Sequence, residues 1–189
     1  MLVDEVLSAL ADRPGGTLVD VGTGSGAIAL ALACEGQLER VIATDVSLDA
    51  LAVAARNVAL LREALCAPVE LRHGSLLAPV HALGAGALRA VVSNPPYIAF
   101  AEAEQLPPAV RDWEPALALF SGSEGMAAIA GIVREAAPLL ERGGLLALEV
   151  DARRASLAAE LAASDGRYGD VAVRLDLAGR ERFVLARRR

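Results

Sequence analysis

Asn94-Pro95-Pro96-Tyr97 brings hydrogen-bond acceptors, a stiff backbone and an aromatic face together in four consecutive residues. The Asn94 side-chain oxygen and the Pro95 main-chain carbonyl can each accept one hydrogen of a planar NH2 group. An amide or ring-amine nitrogen is a poor nucleophile because its lone pair is delocalised into a carbonyl or a ring. Two fixed acceptors push such a nitrogen toward tetrahedral geometry and localise that pair. Proline fixes φ and brings no competing N–H donor, and Tyr97 can stack on the planar group. The chemistry is attack by nitrogen on an electrophilic carbon. Each of these residues is also common in turns, so taken alone the tetrapeptide fits a strand-terminating turn equally well.

The electrophile has a candidate site upstream. Asp20-Val21-Gly22-Thr23-Gly24-Ser25-Gly26-Ala27 follows an apolar run and opens a helical one, and its glycines let the backbone turn tightly and approach a ligand with no Cβ in the way. The spacing also satisfies the GxGxxA pattern of a dinucleotide site. Charge separates the two readings, because a dinucleotide sets its pyrophosphate at this helix N-terminus, where Asp20 would repel it. S-adenosylmethionine has no phosphate and carries ammonium and sulfonium cations, so a nearby carboxylate favours it. Asp45 lies 21 residues after Gly24, near the spacing of about 20 at which an acidic side chain accepts hydrogen bonds from ribose hydroxyls. In His73-Gly74-Ser75-Leu76, Ser75 is expected to bond the edge of the base and Leu76 to cover its face. The cofactor set is therefore Asp20, Gly22, Thr23, Gly24, Ser25, Gly26, Asp45, Ser75, Leu76 and Asn94.

These residues need a scaffold of alternating strands and helices. Thr17 to Val21 reads as a strand leading into a helix from Ser25 to Cys34. A second strand, Arg40 to Thr44, leads into a helix from Leu48 to Leu65 capped by Ser47, with Leu51, Val58, Leu61 and Leu65 on its buried face. Val69 to Arg72 and Leu88 to Ser93 are further strands, the second a continuous apolar run suited to the centre of a parallel sheet. A Ser123-capped helix carries Met126, Ile129, Val133 and Ala136 on one face, and Gly143-Gly144 stop it before the strand Leu145 to Val150. A helix near Arg153 to Ala163 precedes Val171, Val173 and Leu175, which alternate and turn at Ala178-Gly179 into Arg182 to Ala186 as an antiparallel hairpin. The pattern is an α/β domain of seven strands, mostly parallel, with helices on both faces and no internal break over residues 1–189. The proline-bearing stretch from Ala99 to Ser121 reads as a loop or lid.

Composition narrows the function classes. Hydrophobic residues make up 54% and charged residues 22%, which excludes a disordered chain, while 3% aromatics leave a core of Ala, Leu and Val. All 18 basic residues are arginine and the net charge is −6, which disfavours a broad grip on nucleic acid phosphates. Arg187, Arg188 and Arg189 read as a solvated tail. Cys34 and Cys66 lack CxxC spacing and read as small buried thiols, and with His73 and His81 they make no metal cluster. The acidic start Met1-Leu2-Val3-Asp4-Glu5 is unlike a signal peptide, and no apolar run reaches about 18 residues, so a soluble cytoplasmic protein without a membrane partner is expected.

The chain resembles the HemK-type protein-(glutamine-N5) methyltransferases, which modify the glutamine of the Gly-Gly-Gln motif in peptide-chain release factors. Besides Asp20 to Ala27 and Asn94 to Ile98, the likeness takes in Val110-Arg111-Asp112-Trp113-Glu114-Pro115 with Ala118-Leu119, Ser121-Gly122, Gly125-Met126, Gly143-Gly144, Leu148-Glu149 and Asp176-Leu177-Ala178-Gly179-Arg180. Asn-Pro-Pro-Tyr alone is shared with N6-adenine methyltransferases of DNA and RNA, whereas Arg-x-x-Glu-Pro is similar to the glutamine branch. The resemblance implies a class I, Rossmann-like fold with a seven-stranded sheet. It also implies that Gly22 to Gly26, Asp45, Leu76 and Asn94 contact S-adenosylmethionine and that Asn94, Pro95, Pro96 and Tyr97 hold the glutamine, with Asn94, Pro95 and Tyr97 catalytic. Three features depart from the family: no room before Leu18 for the usual helical recognition domain, Ser75 where Asp is common, and Val150-Asp151 after Glu149. The first leaves open a catalytic fragment, or a protein whose partner subunit does that job. An N6-adenine methyltransferase and a cofactor-binding module active only within a complex are the alternatives.

Overall fold

The computed structural model describes residues 1–95 and 126–189. Helix α1 (Leu2–Leu10) leads to β1 (Thr17–Val21), α2 (Ala27–Glu35), β2 (Arg40–Asp45), α3 (Leu48–Leu60) and β3 (Val69–His73). A 3-10 segment (Ala78–Leu83) precedes β4 (Leu88–Ser93). After it come α4 (Ala127–Leu139), β5 (Leu140–Glu149), α5 (Ala155–Ser164), β6 (Tyr168–Leu175) and β7 (Glu181–Arg188). The strands form one seven-stranded sheet in the order β3-β2-β1-β4-β5-β7-β6. β7 runs antiparallel to β5 and β6, and the other neighbours are parallel.

Both sheet faces are covered, which is why β1 and β4 are largely apolar on both faces, each carrying a single charged residue, Asp20 and Arg89. Leu18, Val41, Ala90, Val92 and Leu145 pack on one face with Leu2, Val6 and Leu10 of α1 and Leu32 of α2. Val19, Ile42, Val91 and Leu146 pack on the other with Ile129 and Ile132 of α4, Ala155 and Ala158 of α5, and Leu77 and Val80 of the 3-10 segment. Tyr168 is fully buried and donates its hydroxyl to the Val133 carbonyl at 2.7 Å, tying β6 to α4.

The order reverses at β1, because the chain passes outward to β2 and β3 and then returns to β4 on the other side. Loops leaving the carboxyl ends of β1 and β4 therefore diverge and open a crevice, the usual ligand position in open α/β sheets. Val21 and Ser93 are register partners at that edge, so the glycine loop and Asn94 start side by side.

Several expectations are corrected. α2 begins at Ala27 rather than Ser25, because Ser25 belongs to the turn ahead of the Gly26 N-cap. α3 ends at Leu60, not Leu65, and its buried residues are Leu51 and Ala54. Leu61 is exposed, while Val58 and Leu65 are half-buried, because the chain leaves the helical phase that would carry them inward. Cys66 is exposed and Cys34 is half-buried, so neither is a core thiol.

Gly143-Gly144 do not stop α4; Leu140 is already extended. The two glycines sit in a register shift within β5, where a Cβ on Gly144 would come 2.9 Å from the Glu141 carbonyl oxygen and 3.2 Å from that of Leu88. Arg187 and Arg188 are β7 residues whose guanidiniums bond main-chain carbonyls rather than a solvated tail. Ser123, Pro96, Tyr97 and the segment Val110 to Pro115 lie outside the described residues, as does the stretch expected as a loop or lid.

Candidate functional site

The glycine loop is held by the end of β2. Gly22 and Thr23 both donate their N–H groups to the Thr44 carbonyl, at 2.9 and 3.0 Å, and Gly26 donates to Thr23 at 2.9 Å. Gly24 donates to Asp45 Oδ2 at 2.9 Å, while Asp45 Oδ1 accepts from Ser47 N–H at 2.9 Å. One carboxylate thus joins the loop to the first turn of α3, whose Ser47 cap accepts from Ala50 N–H. Asn57 of α3 adds a further tie by donating Nδ2 to the Ser25 carbonyl at 2.8 Å.

Asp20 supports the loop from beneath. It is 1% exposed; its Oδ2 accepts from Thr23 Oγ1 at 2.6 Å and from Ala29 N–H, in the first turn of α2, at 3.1 Å. Sequence reasoning set this carboxylate beside the ligand, but burial keeps it behind the loop. Its Oδ1 has no partner. Loss of hydration pushes its pKa up to about 6, against the lowering effect of the Thr23 and Ala29 hydrogen bonds.

The other face of the loop is open. Gly22 (φ +69°) and Gly24 (φ +57°) occupy the left-handed region, and a Cβ built on either meets nothing within 4 Å. Glycine is needed there for the backbone angle, and the space above it is free for a ligand. Four of the loop's N–H groups are already spent on Thr44, Asp45 and Thr23. A pyrophosphate, which needs such donors unspent, fits poorly. A carboxylate offers about four lone-pair directions, so Asp45 can still accept from ribose-type hydroxyls.

Thr44, Ser93 and Asn57 were not singled out from sequence, although Thr44 and Ser93 directly precede Asp45 and Asn94. Thr44 Oγ1 donates to the Leu76 carbonyl at 3.1 Å, which pins a residue with the unusual φ of +47°. The Leu76 side chain turns toward Gly131 of α4, where an added Cβ would sit 2.5 Å from Leu76 Cδ1. Ser75 and His73 are exposed nearby, and the His73 ring Nε2 is 3.0 Å from the Val46 carbonyl. Ser93 donates Oγ–H to the Val21 carbonyl at 2.7 Å.

Asn94 is exposed at the carboxyl end of β4, and Pro95 next to it is buried. Glu149 leaves β5 at the level at which Asn94 leaves β4, because Ser93 and Leu148 are register partners. Burial raises the Glu149 pKa, with Arg182 opposing the shift. Among the described residues no His, Cys, Asp and Glu cluster could hold a metal, and no helix is long and apolar enough to cross a membrane.

This arrangement has close counterparts. The release factor glutamine methyltransferase of Moorella thermoacetica is 44% identical over all of this chain and 65% of its own length. That of Rhodopirellula baltica is 38% identical over 96% of this chain and 60% of its own. The chain thus spans somewhat under two thirds of the curated relatives it matches. Among solved structures, a ribosomal protein L11 methylase from Lactobacillus delbrueckii subsp. bulgaricus superposes over 100% of this chain and 77% of that one, with a TM-score of 0.68 at 22% identity. A Streptococcus mutans protein solved in complex with SAH covers 100% of this chain and 98% of that one, with a TM-score of 0.66 at 17% identity. These two show the same fold. With a crevice at the reversal point, a glycine loop anchored to the next strand and the methyltransferase small domain model matching residues 4–106, the chain belongs to the methyltransferase small domain family.

Proposed function

We propose that the chain is the catalytic unit of an S-adenosylmethionine-dependent protein-(glutamine-N5) methyltransferase acting on the Gly-Gly-Gln motif of release factors. The observation carrying this reading is the register of Val21 with Ser93, which sets Asn94-Pro95 beside the open face of the Gly22 to Gly26 loop. The relatives named for this activity, at 38–44% identity, support the same substrate, and the net charge of −6 argues against a nucleic acid target.

S-adenosylmethionine supplies an electrophilic methyl group when bound. Asp45 accepts from the ribose hydroxyls, Gly22 and Gly24 give the ligand close approach to the backbone, and Ser75 borders the base. Asp20 acts indirectly, by fixing Thr23 and the start of α2. Asn94 Oδ1 and the Pro95 carbonyl each accept one hydrogen of the glutamine amide, which localises its lone pair toward the methyl carbon, and the motif's resemblance gives Pro96 and Tyr97 a part in holding the same glutamine. Alignment of this kind is worth about 7 to 11 kcal/mol of barrier. The one proton released on methylation leaves from the amide nitrogen along the Asn94 or Pro95 hydrogen bond. Release factor recognition falls to the third of the relatives' length that this chain does not span, or to a partner subunit.

The test is incubation with methyl-labelled cofactor and a release factor, alone and with the relatives' unmatched segment supplied in trans. Label is expected on the Gly-Gly-Gln glutamine and is expected to vanish when that glutamine is replaced by alanine. Label on adenine in RNA or DNA would move the target to nucleic acid. Cofactor binding without label in any arm would leave a binding module.

A further inference from the structure

The amino ends of the parallel strands, where the antiparallel β7 finishes, carry a cavity of about 400 Å3 lined by Arg13, Arg89, Arg142, Arg187, Arg188 and Arg189. One third of the chain's arginines therefore gather at one spot on a protein of net charge −6. The negative side chains facing them are Asp12 and Asp170 in the lining and Glu141 beside it, while Asp165, which also faces Arg188, is paired with Arg167. Six cations against three anionic side chains leave an excess of three.

The guanidiniums of Arg187, Arg188 and Arg189 are fixed by neutral carbonyls, which orient a charge without cancelling it, whereas Arg13 is ion-paired with Glu141. Arg187 donates Nη1 to Gly143 at 3.0 Å and Nη2 to Ala9. Arg188 Nε donates to Ala137 at 2.7 Å, and Arg189 Nη1 to Gly166 at 3.3 Å. Arg89 is 6% exposed; its Nη2 donates to the Arg13 carbonyl at 3.1 Å and lies 3.4 Å from Asp12, its Nη1 lies 3.5 Å from Glu141, and its Nε has no partner. Bare backbone makes room for the stems, since a Cβ on Gly16 would lie 2.7 Å from Arg89 Cβ and one on Gly169 would lie 3.1 Å from Arg189 Nε.

Orientation without neutralisation is costly unless an anion completes the site. Guanidinium forks match phosphate oxygens in pairs, and the volume exceeds that of one phosphate. A single carboxylate would leave positive charge uncancelled. We propose that this cavity is a binding site for a diphosphate group, distinct from the crevice at the other end of the sheet.

The test is titration calorimetry of the full chain at fixed ionic strength with inorganic pyrophosphate, ADP, sulfate and a short single-stranded RNA. Saturable one-to-one binding of pyrophosphate is expected, with sulfate at least about tenfold weaker. Arg142→Glu and Arg189→Glu, both on exposed residues, should each weaken pyrophosphate about tenfold, as loss of one charge-assisted contact implies, and leave S-adenosylhomocysteine binding unchanged. Affinity for ADP above that for pyrophosphate identifies a nucleotide as the source of the diphosphate, and equal affinity identifies free diphosphate. Equal response to sulfate, indifference to both substitutions, or binding of RNA alone would overturn the proposal.

Discussion

Ser93 Oγ donates to the Val21 carbonyl at 2.7 Å, joining the last residue of β4 to the last residue of β1 just where their loops part. Both groups are buried, so the bond sets the spacing between the glycine loop and Asn94. Ser93→Ala leaves a buried carbonyl short of a donor, a loss of about 1 to 2 kcal/mol. The melting temperature should fall by roughly 2 to 8 °C in a domain of this size. Calorimetric melting of the variant checks the value, and an unchanged melting point would show that the bond adds nothing.

β1, β2 and β4 were legible because each is a short, largely apolar run closed by Gly, Asp or Asn, and the central place of β4 followed from the same reading. The ties between elements were not. Thr44 to Leu76, Asn57 to Ser25 and Ser93 to Val21 join residues far apart in sequence, and their partners depend on which strands become neighbours. Asp20 was recognised as an acidic group at the loop, but its burial depends on α2 folding over it. The expected inward phase of Leu61 failed for a local reason, since α3 stops one residue earlier. Arg187 and Arg188 looked like a solvated end because their carbonyl partners come from α1, α4 and β5.

Asn94 is exposed at the carboxyl end of β4 and takes no part in anchoring the glycine loop. Asn94→Ala should therefore lower turnover by roughly two to three powers of ten, the effect of losing one preorganised polar contact worth about 3 to 4 kcal/mol. Binding of S-adenosylhomocysteine should stay close to wild type. Methyl transfer kinetics paired with calorimetric titration separate the two effects, and a parallel loss of cofactor affinity would assign Asn94 to the cofactor instead.

Asp45 has two duties that substitutions can divide. Asp45→Ala removes the acceptor for Gly24 N–H and Ser47 N–H together with the charge facing the ribose, so cofactor affinity should drop by at least about tenfold, as expected for lost bonds to a charged group of about 1.5 to 3 kcal/mol. Ser47→Ala removes only the cap of α3 and should cost about 1 kcal/mol of stability with little change in affinity. Equal affinities for the two variants would mean that Asp45 acts through the helix alone.

Asp20 gives the fold a pH dependence of known sign. Its folded-state pKa stands at about 6, raised from 3.8 by burial. Between these values the folded chain keeps a proton that the unfolded chain has released, so stability falls as pH rises from about 4 to about 6 and is level in this respect above it. A shift of this size corresponds to roughly 3 kcal/mol. In Asp20→Asn that slope should disappear, because the amide does not titrate, while its oxygen can still accept from Thr23 and Ala29. Denaturant melts at a series of pH values, wild type against variant, isolate this carboxyl from the other acids. A wild-type profile that rises across the same interval more steeply than that of the variant would reverse the sign and show Asp20 to be stabilised as the anion.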